Sequence, residues 1–319
     1  MVFVAGIDEA GYGPFVGPLT MGFSLFRVPT LDTDLWKVLS RSTAKKPERK
    51  DLRRLWLNDS KKVHQGPKGR GRLERTVAAF RELVSPGNSL LDDWLSEPPA
   101  GSARDLHAAP WFRELRGELC PSVERDRARL DGTAVHRDLE SAGCALQAFG
   151  SRAVPAGEWN QLLASTGGKG SANFAVAMHL VRHLLEHTGD APLRIELDRQ
   201  GARIRYADVL RAALQPQAIE THGERPSGST YSLQFPNRSV QLRFSEGADN
   251  KHLPVALASL AAKQTRERLM DEFNAWWTLQ MPELKPTKGY GVDGKRWLAE
   301  VQPHTPDNGV ELRLLRRDR

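Results

Sequence analysis

Asp8 and Glu9 stand side by side at the end of a short apolar run, Val2, Phe3, Val4, Ala5 and Ile7. Its β-branched members suit a strand buried on both faces. Two adjacent carboxylates in that place are costly unless a cation neutralises them. A divalent metal meets the need, because Mg²⁺ prefers carboxylate oxygens and brings phosphate substrates with it. A plainer role is equally open: Asp8 caps a turn and Glu9 faces water. Gly11, Gly13, Pro14, Gly17 and Pro18 follow at once, a punctuated turn where backbone can approach a ligand.

Other stretches carry chemistry at a distance from this pair. Asn58-Asp59-Ser60-Lys61-Lys62 sets an acid, a hydroxyl and two ammonium groups in a row. Such a row seats a phosphate, or simply starts a helix with Asp59 or Ser60 as N-cap. Residues 65–72 are glycine-rich and basic, which fits a nucleic-acid backbone contact or a solvated loop. Leu193, Ile195 and Leu197 alternate with Arg194, Glu196 and Asp198, so Asp198 ends a strand as Asp8 does. In open α/β sheets, ligand sites collect at the carboxyl ends of strands. Glu196 shares the face and is a rival. Ser259, Lys263 and Glu267 fall at i, i+4 and i+8 of a helix expected over residues 253–277, as a functional stripe or an ordinary Lys–Glu pair. Lys288-Gly289-Tyr290-Gly291 is a turn carrying an aromatic. His179, His183 and His187 share a helical face over residues 171–187 but have no acidic partner, so they read as a polar outer face.

These groups need elements to hold them. Strands are expected over residues 2–7, 18–28, 144–154 and 193–198. Residues 217–221 are expected as a last core strand, and 230–235 with 240–244 as a hairpin. A helix is expected over residues 73–84. The charged stretch 105–138, after loop marks at Pro98, Pro99, Gly101 and Ser102, reads as a helical insertion anchored by Trp111, Phe112, Leu115, Leu119 and Leu130.

Composition sets the class. The 319 residues are 39% hydrophobic and 27% charged, as in a water-soluble globular chain with ample length for a core. A net charge of +7 and a pI near 9.5 favour a polyanionic partner. Part of that excess comes from Lys45, Lys46, Arg49 and Lys50, and from a basic end expected to be solvated. Cys120 and Cys144 are too few for a disulfide framework and point to a reducing, cytoplasmic setting. No apolar run approaches the ~18 residues of a membrane span, and the N-terminus lacks the pattern of a signal peptide.

Asp8-Glu9-Ala10-Gly11-x-Gly13-Pro14-x-x-Gly17-Pro18 resembles the signature of type 2 ribonucleases H (HII and HIII), which cleave RNA within duplexes using divalent metal ions. Four further segments resemble the family in the same chain order: Asp59-Ser60-Lys61, the strand-end Asp198, Ala258-Ser259-x-x-Ala262-Lys263-x-Thr265-Arg266-Glu267, and Lys288-Gly289-Tyr290-Gly291. Two departures stand out. Tyr12 replaces the family's Arg or Lys between the glycines, and Glu267 replaces an Asp.

The resemblance implies an α/β, ribonuclease H-like fold with a mixed five-stranded sheet flanked by helices. Its catalytic core would span residues 1–87 and 141–300, with an insertion at 88–140 and a basic segment at 301–319. It implies that Asp8, Glu9, Asp198 and Glu267 are catalytic and hold two Mg²⁺ or Mn²⁺ ions, about 3.5–4 Å apart in such sites. Gly11, Tyr12, Gly13, Ser60, Lys61, Lys62, Lys263 and Tyr290 would bind substrate. The expected partner is nucleic acid, an RNA–DNA hybrid first, with no membrane and a monomeric chain. The expected products are 5′-phosphate and 3′-hydroxyl ends. A nuclease of this fold acting on DNA or branched substrates, and a non-catalytic nucleic-acid-binding relative, are the alternatives.

Overall fold

The computed structural model describes residues 1–48, 50–97 and 106–318. Arg49, the loop marks Pro98, Pro99, Gly101 and Ser102, Asp105 and Arg319 lie outside the described residues. Alternating apolar residues build seven strands: β1 (Val2–Ala10), β2 (Leu19–Val28), β3 (Ala145–Val154), β4 (Leu193–Asp198), β5 (Ala218–Arg225), β6 (Gly228–Phe235) and β7 (Arg238–Ser245). They form one mixed sheet in the order β3-β2-β1-β4-β7-β6-β5. β1, β4 and β7 run parallel, and the other pairings are antiparallel.

Among the described residues the main sheet has seven strands rather than the expected five, and its last core strand is not the one at residues 217–221. β5 lies at the sheet's outer edge with most of its side chains exposed. β7 takes the place beside β4 because Val240, Leu242 and Phe244 give it a fully buried face, which β5 lacks.

The longer helices are α1 (Gly69–Val84), α2 (Arg125–Ser141), α3 (Ala156–Thr166), α4 (Lys169–Thr188), α5 (Ala207–Leu214), α6 (Leu253–Gln280) and α7 (Gly291–Val301). They cover both faces of the sheet. Ala5, Ile7, Met21 and Phe23 form one core with Ile195 and Leu197 of β4 and the apolar stripe of α4. On the opposite face Val4, Phe26 and Phe149 pack with α1 and α6 in a second. Residues 69–72, expected in a loop, form the first turn of α1.

α6 is buried on nearly every side along its first five turns, as a helix between two layers must be. Its small residues let it approach the sheet closely. A Cβ on Gly22 would lie 2.0 Å from the Ala258 carbonyl oxygen, and one on Gly6 would lie 2.2 Å from the Val255 nitrogen. From β2, Ser24 Oγ donates to the Pro254 carbonyl and Thr20 Oγ1 to that of Ala262, each at 2.8 Å.

The segment between α1 and α2 closes over the far side of α6. Leu91, Trp94, Leu95, Phe112, Leu115 and Leu119 join the same core as the sheet, and Trp111 packs edge-on against Phe273. Trp94 Nε1 donates to Thr265 Oγ1 at 2.9 Å. Leu130, expected as an anchor, is instead exposed, because α2 turns Val135 and Leu139 inward. The basic end also departs from expectation. Arg317 is buried beneath the turn after β1, its backbone N–H donating to the Phe15 carbonyl at 2.8 Å. His183 packs edge-on against Phe23, 5.6 Å between ring centroids, rather than facing water. Cys120 and Cys144 are both free and buried. No helix among the described residues is long and apolar enough to cross a membrane.

Gly22→Ala is expected to cost about 2–3 kcal/mol by forcing α6 off the sheet. Gly170→Ala, at a helical position with open space around it, serves as the control. Urea unfolding of the two variants checks this. Equal midpoints would mean that the helix–sheet approach is not the tight contact described.

Candidate active site

The three parallel strands all finish at one edge of the sheet. Ile7 pairs with Leu197 across β1 and β4, so the register brings Asp8 level with Asp198. Asp198 pairs in turn with Ser245 on β7. The chain then turns sharply into the short helix Ala248–Lys251. Asp198 Oδ1 fixes that turn by accepting from the Ala248 N–H at 2.9 Å. Asp249 is thereby carried to the same edge.

Four carboxylates consequently feel one another's charge. Burial raises Asp8 well above the usual carboxylate range, and Glu9, Asp198 and Asp249 push it in the same direction. Burial and the charge of Asp198 lift Glu9 to about 7. Burial also raises Asp198, against backbone N–H donors from Ala248, Arg199 and Gly247. Burial, Asp59 and Asp198 raise Asp249. Partial compensation comes from donors. The Ser259 hydroxyl near Asp8 and the Asn173 amide near Glu9 act to lower these two acids. Ser259 Oγ lies 3.0 Å from Ser60 Oγ, which links the 59–62 segment to Asp8. Asp59 caps the turn Ser60–Val63 by accepting from the Lys61 N–H at 2.8 Å. The positive charge of Lys61 acts on Glu9 and Asp198, and that of Lys62 on Asp249.

Glu267 stands elsewhere. Burial would raise it, but the ammonium groups of Lys263 and Lys288 hold it down at about 2. Lys263 Nζ donates to Oε1 and Lys288 Nζ to Oε2, each at 2.7 Å. With both oxygens engaged, Glu267 is an ion-pair centre rather than a member of the carboxylate group. Helix geometry explains the correction: eight residues beyond Ser259 is about 12 Å along the axis. Lys263 is likewise engaged inside the fold instead of being turned to a phosphate. Glu196, the rival to Asp198, is buried against Arg194 at 3.1 Å and Arg243 at 3.5 Å, one step back from the edge.

The Gly11-Tyr12-Gly13 turn sits beside this edge, between β1 and β2. A Cβ on Gly13 would lie 3.8 Å from the Tyr290 ring, so the two aromatic-bearing turns meet. Tyr290 is exposed, with the buried Arg266 guanidinium 5.0 Å from its centroid. Arg317 Nη2 donates to the carbonyls of Gly11 and Pro14 and braces the turn from below. Lys169, at the start of α4, places its ammonium 4.6 Å over the Tyr12 ring. The turn thus keeps a nearby cation although residue 12 supplies none.

No protein-family model and no curated protein matches the chain. Among solved structures it is similar to ribonuclease HII in the PCNA complex from Archaeoglobus fulgidus, with TM-score 0.44 and 15% identity over 100% of this chain and 95% of that one. It is similar also to ribonuclease H2 from Pyrococcus horikoshii OT3, with TM-score 0.39 and 17% identity over 98% and 92% of the two chains. Bst ribonuclease HIII in complex with Mn²⁺ gives TM-score 0.41 and 12% identity over 99% and 66%. These likenesses extend over 98–100% of this chain. The resemblance is distant, and the roles of single residues rest on the geometry above.

Asp249 was not picked out from sequence. The rule that flagged Asp8 and Asp198, an acid just beyond a strand's carboxyl end, applies to it once β7 is known to lie parallel to β4. Asn173 also escaped notice. Its signal is a polar residue on the buried stripe of α4, beside Phe174 and Ala177.

The acids are a hard oxygen donor set whose mutual repulsion a divalent cation relieves. In that sense the residues fit Mg²⁺ or Mn²⁺. Among the described residues no three acidic, imidazole or thiol groups converge tightly enough to ligate one ion as they stand, so the side chains would have to draw together around it.

The crowding has a measurable consequence. An unfolded chain loses the Glu9 proton near 4.5 and the folded chain near 7. Between those values the native state holds the extra proton, so stability falls as pH rises. The loss by pH 7 is about 3 kcal/mol. Urea unfolding of metal-free protein at several pH values from 4.5 to 7.5 checks this, with Glu9→Gln expected to flatten the slope. Identical slopes in both proteins would show that Glu9 is not crowded.

Proposed function

We propose that the chain is a metal-dependent endonuclease that hydrolyses the RNA strand of RNA–DNA hybrids, leaving 5′-phosphate and 3′-hydroxyl ends. The observation that carries the reading is the meeting of Asp8, Glu9, Asp198 and Asp249 at one sheet edge, where no carboxylate has a direct lysine or arginine ion pair among the described residues. Natural cores avoid such crowding unless a cation joins it. Elsewhere the same fold gives a buried acid two cations, as Lys263 and Lys288 do for Glu267.

In this reading the four acids would hold one or two Mg²⁺ or Mn²⁺ ions. Bound there, the metal supplies a water of lowered pKa and charge relief at the leaving oxygen. The chain's own residues do the rest. The Ser259 hydroxyl and the Asn173 amide favour the ionised forms of Asp8 and Glu9. Lys61 and Lys62, both exposed at the rim, bring positive charge to the phosphate. The backbone of Gly11 to Gly13 and the exposed ring of Tyr290 would take the sugar beside the scissile bond. Lys169 over Tyr12 supports recognition of RNA at this turn, since it returns a cation to the place the family fills with Arg or Lys.

The first test offers labelled duplexes with Mg²⁺ and with Mn²⁺: an RNA–DNA hybrid, DNA with one ribonucleotide, and all-DNA. Cleavage is expected in RNA-containing strands only. Cleavage of all-DNA would move the chain to another nuclease class, and binding without cleavage would make it a non-catalytic relative. Asp8→Asn and Asp249→Asn are each expected to abolish cleavage and weaken Mn²⁺ binding at least tenfold. Glu267→Gln should leave Mn²⁺ binding intact but lower stability at neutral pH, because it strips Lys263 and Lys288 of their shared partner. If Glu267→Gln removes Mn²⁺ binding and Asp249→Asn does not, the assignment of the fourth acid is wrong.

A further inference from the structure

A groove that the catalytic reading leaves unused is lined in part by the chain leading into the Asp59–Lys62 segment. It encloses about 680 Å³ between residues 46–56 and the start of α1. Lys46, Arg54, Lys68, Arg72 and Arg75 line it, against Glu48 and Asp51. Part of this charge is satisfied internally. Asp51 pairs with Arg54 at 2.5 Å, and Asp131 holds Arg75 at 2.7 Å. Lys46 and Lys68 are exposed and, among the described residues, form no ion pair. Arg72 lies over the Trp56 ring, its guanidinium carbon 4.2 Å from the centroid. Three cations are thus left facing the groove, with Glu48 the one unpaired acid among its described lining residues.

The pattern selects a ligand. A guanidinium laid on an indole presents a flat cationic surface on which a nucleobase stacks, while lysines at the rim meet phosphates. A duplex cannot use that surface, because its base faces are stacked on one another. An unpaired strand can. The chain itself runs from the groove toward the candidate site. Trp56 is four residues from Ser60, a span of at most about 14 Å, and Ser60 Oγ accepts from Ser259 Oγ at 3.0 Å, the hydroxyl whose presence lowers Asp8. Asn58 Nδ2 donates to the Lys45 carbonyl at 2.9 Å and so ties the Lys45–Lys46 stretch to the same segment.

We propose that this groove binds a single-stranded stretch of nucleic acid that continues from a duplex lying at the carboxylate edge, with a base stacked on Arg72 and phosphates on Lys46 and Lys68. The position of the duplex rests on the nuclease reading; the groove's own role is a matter of binding.

The test compares affinities by fluorescence anisotropy in metal-free buffer for a blunt RNA–DNA hybrid and the same hybrid carrying a single-stranded extension. In the wild-type protein the extension is expected to tighten binding about fivefold or more. Arg72→Ala should bring the extended-to-blunt ratio close to one. The double variant Lys46→Ala/Lys68→Ala, whose side chains are exposed and cannot disturb packing, should reduce the ratio and flatten its salt dependence. Equal weakening of blunt and extended hybrids would mean a duplex-backbone contact and overturn the single-strand assignment. An unchanged ratio in all variants would overturn the groove itself while metal-dependent cleavage by the wild type still upheld the nuclease reading. Failure of the wild type to bind the extended hybrid would overturn the groove, whereas the nuclease reading stands or falls on metal-dependent cleavage.

Discussion

α6 can touch β1 and β2 backbone to backbone only because Gly6, Gly22 and the helix's own alanines remove every intervening side chain. Much else follows from that contact. It sets the depth at which Ser259 reaches Asp8 and brings the helix's amino end against the turn that carries Asp249. It also leaves the helix's outer side to be covered by Trp94, Trp111 and the residues around Leu119. A larger residue at either glycine would push the helix outward and pull the hydroxyl, the acid and the aromatic cover away together. Burial of apolar surface supplies the stabilisation, and steric permission decides where it is applied.

Charge is divided unevenly between the start and the middle of this helix. Near its start four acids gather with little direct compensation. Two turns beyond Ser259, Glu267 binds two lysines, one from its own helix and one from the 288–291 turn. That second lysine matters for geometry, because it draws Tyr290 toward Gly13. The ion pair acts as a bracket between α6 and the aromatic turn, while the acids at the sheet edge repel one another. Breaking the bracket leaves buried charge unpaired, which costs far more than the pair itself contributes.

The chain's end serves the same edge from the opposite side. Arg317 reaches the carbonyls of Gly11 and Pro14 from a buried position, and burial together with the charge of Arg266 pushes it down to about 9. Asn160 accepts from the Asp318 N–H at 2.8 Å and fastens this strap to α3. A turn with several glycines has little stiffness of its own. Its shape here is imposed by groups roughly 300 positions away in sequence.

Much of the architecture was legible from periodicity. Alternation at Leu193 to Asp198 and at Val240 to Phe244, and the three-to-four spacing along α4, are local patterns that hold whatever surrounds them. The sequence by itself therefore determined the elements, the acids at the ends of β1 and β4, and the cationic Asp59–Lys62 segment that joins them. It did not determine the fourth acid. Asp249 arrives because β7 lies parallel to β4, a pairing between segments about 50 positions apart that no local pattern encodes. Glu267 was excluded by the rise of the helix that bears it, and Arg317 was drawn inward by carbonyls at the other end of the chain. Strand order, helix rise and buried carbonyls act through space, so only the tertiary structure decided which charges meet and which are kept apart.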